Sequence, residues 1–224
     1  MARVNYSVIA QKYRNVGKGN VRLTQSSLFL TKPINPAVTT YTFDVLETQT
    51  ASLQNDEIRL NLNDEFIVTQ IGMYLVGNMN GVSGRILFTC PPYELNTTQA
   101  DRLTDFYNGT FKVAINNIVY MEKWDTYKHL FTGTTQFQSY QLGVATPPTI
   151  AEKNLAKDGM FSLEPMITLS GAKKNDLVLQ IPAAITAGTF SWTDYTGVAQ
   201  TINIDRVGLL MRGFNAQNGA TFQG

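Results

Sequence analysis

Acid–base or nucleophilic chemistry at neutral pH would most simply run through a histidine, and this 224-residue chain has one, His129. Asp125 lies one helical turn upstream and Ser139 follows nearby. A Ser-His-Asp arrangement needs those three groups to converge beside an oxyanion hole. No nucleophile elbow accompanies Ser139, so His129 reads as a side chain packed behind the Trp124 segment. Cys90 is the single cysteine. That excludes an intrachain disulfide, and one His with one Cys cannot found the usual zinc sites.

The carboxylates Asp44, Glu47, Asp56, Glu57, Asp64 and Glu65 are scattered at expected turns and strand edges. A glycosidase would need two of them facing each other at roughly 5–10 Å. No Asp-rich calcium loop occurs. Gly17-Lys18-Gly19 is too short for a phosphate loop and reads as a turn. Neither an enzyme nor a cofactor is expected. The remaining chemistry is aromatic. Tyr93, Tyr107, Tyr120, Trp124, Tyr127, Phe131, Phe137 and Tyr140 crowd the middle of the chain. A surface patch using Trp124, Tyr127 and Trp192 would suit a carbohydrate- or receptor-binding face.

Charge is sparse, 16% of residues, and polarity comes from Thr, Asn and Gln. Neutral amides and hydroxyls cost less to desolvate than charges, which suits a surface later covered by neighbouring copies. The net charge of +1 is unevenly spread. Residues 1–43 hold Arg3, Lys12, Arg14, Lys18, Arg22 and Lys32 and no acid. A +6 segment thus leads a body of charge −5. It reads as a basic arm for an acidic or phosphate surface. Its spacing allows only non-specific, salt-sensitive contact with nucleic acid. The start has no apolar signal-peptide core, and no run approaches a membrane span. A reducing cytoplasm is the expected place of synthesis.

The elements that must position these groups are mostly strands. Glu65–Gly77 carries Phe66, Ile67, Val68, Ile71, Met73, Tyr74, Leu75 and Val76 with no charge after Glu65. That composition predicts a strand buried on both faces at the centre of a sheet. Burial of eight such side chains favours folding by on the order of 10 kcal/mol before entropy. Short strands are predicted at Val21–Leu23 and Ser27–Leu30 within the arm, and further strands at Thr40–Leu46, Glu57–Leu62 (Ile58, Leu60 and Leu62 on one face), Arg85–Cys90, Glu164–Ser170, Asp176–Ile181, Gly188–Trp192 and Thr201–Phe214. Residues 133–145 read as extended, and 147–157 as a short helix capped by Thr149. Asp194–Gly197 reads as a turn. Thr97–Gly109 is the clearest helix, with a Thr cap and Gly109 as a left-handed stop. Phe111–Met121 reads as a hairpin turning at Asn116-Asn117, since Asn tolerates the positive φ of a type I′ turn. Ile71–Leu75 and Val207–Met211 look alike, as two central strands would. Turn spacing and the lack of regular helix alternation predict an all-β, mainly antiparallel β-sandwich, first choice a jelly roll. One domain, 44–224, would follow an extended N-terminal arm, 1–43.

One resemblance adds to this. Tyr93-Glu94-Leu95, a short helix ending Asp105-Phe106-Tyr107-Asn108-Gly109, the hairpin Phe111–Met121, and Glu122-Lys123-Trp124-Asp125-Thr126-Tyr127-Lys128-His129 follow in order. Together with Asp64–Gly72 they resemble bacteriophage virion structural proteins, particularly capsid or capsid-associated β-sandwich subunits. The likeness covers about a third of the chain and carries over no functional residue. It implies jelly-roll shells, exchanged arms and icosahedral assembly; the chain is short for a double jelly roll. The resulting expectation is a non-enzymatic coat or head-associated subunit. It would join identical copies and other virion proteins through edge strands, loops and an arm using Arg3, Lys12, Arg14, Lys18 and Arg22. A phage tail or fibre module that binds carbohydrate or a receptor is the runner-up, and a β-sandwich hydrolase comes third.

Overall fold

The computed structural model describes residues 6–14, 21–47, 57–81, 86–91, 97–130, 159–193 and 197–220. Among the described residues ten strands form two antiparallel sheets, accompanied by short helices. The strands are β1 (Arg22–Pro33), β2 (Thr40–Phe43), β3 (Glu65–Met79), β4 (Ile86–Phe88), β5 (Thr110–Ile115), β6 (Ile118–Asp125), β7 (Met160–Ser170), β8 (Asn175–Gln180), β9 (Gly188–Thr193) and β10 (Ala199–Gln217). The helices are α1 (Tyr6–Arg14) and α2 (Thr97–Thr104), with 3-10 turns at Asp105–Asn108 and Thr126–His129. The expected elements at 133–145 and 147–157 lie outside the described residues, as does most of the turn expected at 194–197.

The larger sheet is organised by β3 and β10, which lie side by side over almost their whole length. β1 and β9 share the far side of β10, while β7 and β4 share the far side of β3. The two look-alike stretches turn out to be partners: Ile71 faces Met211 and Leu75 faces Val207. The smaller sheet has the order β2-β8-β5-β6. Leaving β4 and β9 aside, β1 pairs with β10, β2 with β8, β3 with β7 and β5 with β6. The first half of the chain is thus paired with the second in nested order.

The predicted two-sided burial of β3 is realised. Phe66, Val68, Ile71, Met73 and Leu75 enter the core between the sheets. Ile67 packs on the opposite face beneath α1, and Tyr74 and Val76 join Phe29 and Leu210 there. Val68 and Ile71 share a face although three positions separate them, because Thr69 is an extra residue of β3 relative to β10. An extra residue resets the alternation. The Thr69 hydroxyl donates to the Arg212 carbonyl at 3.0 Å and fastens the bulge. Gly213 sits opposite, where any Cβ would collide with the Ile67 carbonyl oxygen.

Three expectations are corrected. Residues 1–43 do not form only an extended arm. α1 places Ile9 and Tyr13, four positions apart, on Ile67 and Ala216, and Arg22–Pro33 pairs with β10 over twelve residues. Leu28 and Leu30 enter the main core while Phe29 packs on the other face, which an exposed arm could not do. Glu57–Leu62 is not an alternating strand. It makes isolated bridges at Ile58 and Leu60, and Ile58 and Leu62 are exposed. The reason is polar: Glu57 accepts from the Thr31 amide (2.7 Å) and hydroxyl (2.9 Å) and pairs with Arg59 at 2.8 Å, drawing the arginine inward. Gly109 is extended (φ −91°), not left-handed. Its small size matters instead, since a Cβ would press on the Gln180 carbonyl of β8.

Gly213→Ala should cost about 3 kcal/mol, because strand backbone must move. Gly81→Ala, at a left-handed turn residue with open space around it, should cost about 1 kcal/mol. Urea midpoints of the two variants check the ratio.

Candidate assembly surface

One edge of the smaller sheet is built from a hairpin. Asn116 and Asn117 take φ of 48° and 65°, the expected type I′ pair, and Ile115 faces Ile118 across the turn. β6 then runs along β5, and among the described residues no further strand pairs with its outer side. β6 holds two extra residues. One lies between the pairs Phe111–Trp124 and Val113–Met121, and the other is Tyr120, between Val113–Met121 and Ala114–Val119. Bulges and charged side chains blunt an edge against continuous strand addition, and Glu122 and Lys123 lie within the first bulge with Asp125 just beyond it. The first three residues of β6 are different. Ile118, Val119 and Tyr120 are 62%, 45% and 56% exposed and form an uncharged apolar run at the tip of the hairpin. The unbroken apolar triplet before Glu122-Lys123 was the signal for this surface. Sequence reasoning used it only to predict the hairpin.

The far end of β6 is locked down. The Asp125 carboxylate accepts from the Tyr127 amide at 2.9 Å and starts the turn Thr126–His129. The buried Thr126 hydroxyl reaches the carbonyls of Phe106 (3.0 Å) and Gly109 (2.9 Å). His129 is fully buried. Its Nδ1 lies 2.7 Å from the Gly159 carbonyl oxygen, and its Nε2 accepts from Trp124 Nε1–H at 2.8 Å. A carbonyl only accepts and an indole N–H only donates, so the ring is the neutral tautomer with its proton on Nδ1. Burial lowers its pKa from the ordinary value, with the Lys128 charge adding to this; the Gly159 bond and Asp125 act the other way. Phe161 packs edge-on, 5.3 Å from the imidazole centre, and Lys128 Nζ lies 4.1 Å above the indole. His129 is therefore the packed side chain expected behind Trp124, with both nitrogens engaged in structural bonds. Ser139 lies outside the described residues.

The proposed aromatic patch is not brought together. Trp124 is half-buried on the core side of β6, Tyr127 is 60% exposed, and Trp192 belongs to β9 in the other sheet, its side chain lying outside the described residues. The basic residues are also dispersed. Arg3, Lys18 and the side chain of Arg14 lie outside the described residues, and exposed Arg22 opens β1 opposite Gln217. Lys12, exposed on α1, stands 3.9 Å from the buried carboxylate of Glu65. Tyr13 beside it donates to the same carboxylate at 2.7 Å, and burial, then the bond and charge of Glu65, push the phenol above its ordinary pKa.

The other acids have separate structural partners. Asp44 pairs with Lys32, Glu57 with Arg59, and Asp64 accepts from Asn215 and the Asn218 amide. Among the described residues no group of three His, Cys, Asp or Glu side chains could hold a metal ion, and no helix is long and apolar enough to cross a membrane. Comparison of the chain with protein-family models, curated proteins and solved structures finds no match.

Two measurements probe these anchors. Tyr13→Phe removes a hydrogen bond to a buried carboxylate and should cost about 1.5–3 kcal/mol in urea unfolding. The folded pKa of His129 lies below its unfolded value of 6.5, so the unfolded chain binds the proton first. Its contribution is complete above that pH and is lost as pH falls below it, by up to about 1.4 kcal/mol per unit until the folded value is passed. Urea midpoints at several pH values should show this slope in the native chain and lack it in His129→Gln.

Proposed function

We propose that this chain is a non-enzymatic structural subunit that associates with further copies of itself, with Ile118, Val119 and Tyr120 packing against a neighbour. Its sequence resemblance makes the setting a bacteriophage virion, where it serves as a coat or head-associated protein. The finer fold reading that accompanies this is a jelly roll.

Nested pairing supports that fold. With β4 and β9 as additions, the sheets read β1-β10-β3-β7 and β2-β8-β5-β6, the arrangement of a long antiparallel hairpin rolled into two four-stranded layers. Rolls of this kind also serve as lectins and metal-binding barrels, so the fold alone does not choose a function. The observation that carries the choice is the exposed apolar triplet on a free but bulged edge. A contiguous apolar run of this kind, on a chain whose charge is sparse, favours contact with protein. The bulges favour side-chain packing over an extended sheet. Exposed Tyr127 favours the runner-up, a carbohydrate- or receptor-binding module of a tail or fibre. Against it, Trp124 spends its N–H on His129 and one ring face on Lys128.

Sedimentation of the purified chain over a wide concentration range tests the proposal. Self-association is expected, and Val119→Glu with Tyr120→Glu should weaken it at least about tenfold, equivalent to 1.4 kcal/mol, at unchanged thermal stability. A native chain that stays monomeric throughout would overturn it, as would unaltered association of the double variant.

A further inference from the structure

We propose that His129 is an acid-sensitive switch whose protonation unseats Trp124 from the end of β6. The two bonds to the imidazole have opposite polarity. The bond to Gly159 needs a proton on Nδ1, and the bond from Trp124 needs a lone pair on Nε2. A second proton can enter only at Nε2. It would set two N–H donors head to head at 2.8 Å, with no acceptor between them. It would also place a full charge in a buried site, where an unpaired ion is costly.

The surroundings decide which partner moves. From the turn Thr126–His129, Lys128 brings a like charge that holds its place over the indole. From the end of β6, Asp125 brings an opposite charge, but its side chain is exposed and engaged with the Tyr127 amide. From β7 the contact is the uncharged ring of Phe161. The turn Asp105–Asn108 packs nearby through buried Phe106 and Tyr107, and Asp105 is its acidic residue. From β3, the Tyr74 ring lies against Gly159. Among the described residues the ring bonds only to Gly159 and Trp124, and no carboxylate there accepts a hydrogen bond from it to neutralise the new cation.

The Gly159 bond survives protonation, because imidazolium still donates from Nδ1. The Trp124 bond does not. Trp124 is half-buried at the free edge of the sheet and has a path to solvent, whereas His129 is enclosed. The indole therefore leaves and the imidazolium stays. Trp124 pairs with Phe111 across β5 and β6, so its departure loosens the C-terminal half of the edge strand. An effect on copy-to-copy contact rests on the assembly reading above; the switch itself does not.

The chain has two tryptophans and one histidine, which makes the test direct. In a Trp192→Phe background, Trp124 emission is followed from pH 8 to pH 4.5 on dilute protein, with far-UV circular dichroism recorded alongside. A single red-shifting transition is expected below pH 6.5, before secondary structure is lost, and it should be absent when His129→Gln is added. Emission that stays constant until unfolding, or an identical transition in the His129→Gln protein, would overturn the switch. Should His129→Gln fail to fold, nitrogen-15 spectra of the native side chains decide. The Trp124 indole N–H resonance must move together with the imidazole titration, and an indole that ignores it refutes the proposal. Sedimentation at pH 8 and pH 5 separates the two readings. A transition in a chain that never associates removes the assembly reading and leaves the switch. Association with an unresponsive Trp124 does the reverse.

Discussion

The pairing of β3 with β10 is the constraint on which the rest of this structure depends. Both strands are long and apolar on both faces, so neither can sit at a solvent-exposed position. They bury each other's backbone, and their far sides are divided among four shorter strands. A sheet covered on both faces loses the freedom to slip, because a one-residue shift would exchange two different sets of neighbours. The bulge at Thr69 reconciles the two faces. It lets Val68 and Ile71 both enter the core, and it requires a residue without a side chain at Gly213.

The smaller sheet depends on this frame at one corner. The His129 imidazole ties Trp124 of β6 to the Gly159 carbonyl at the threshold of β7, and Phe161 closes the group from the larger sheet. Apolar packing joins the layers elsewhere, but here the joint is polar and directional. Such a joint has one satisfied state, so it is both rigid and conditional on protonation. The opposite end of the same strand is apolar and open at Ile118–Tyr120. β6 thus combines a locked end with an exposed apolar one.

Much of the fold was legible in the chain. The two-sided apolar pattern of Glu65–Gly77 announced the central strand, and Asn116-Asn117 between two apolar runs announced the hairpin, because both signals are local. Tyr6, Ile9 and Tyr13 at i, i+3 and i+7 could have announced α1, but Lys12 between them, with Arg3 and Arg14 on either side, read more strongly as an arm. Glu57–Leu62 misled for the opposite reason. Its alternation was regular, yet a buried Glu57–Arg59 pair bonded to Thr31 outweighed it, and hydrogen bonds to a distant strand leave no periodic trace. The exposed apolar surface was less legible. Exposure of Ile118, Val119 and Tyr120 depends on β6 being the last described strand of its sheet, a fact of strand order.

The sequence by itself determined the all-β class, the central strand, the hairpin and the absence of a disulfide or thiolate metal cage, since composition, periodicity and residue counts bear directly on each. Only the tertiary structure decided that the two look-alike stretches are partners, that Arg22–Pro33 belongs to the main sheet, and that His129 is held between an acceptor and a donor. Those outcomes rest on contacts between residues far apart in the chain. Their energies come from burial and hydrogen-bond polarity at the meeting point, which neither segment carries alone.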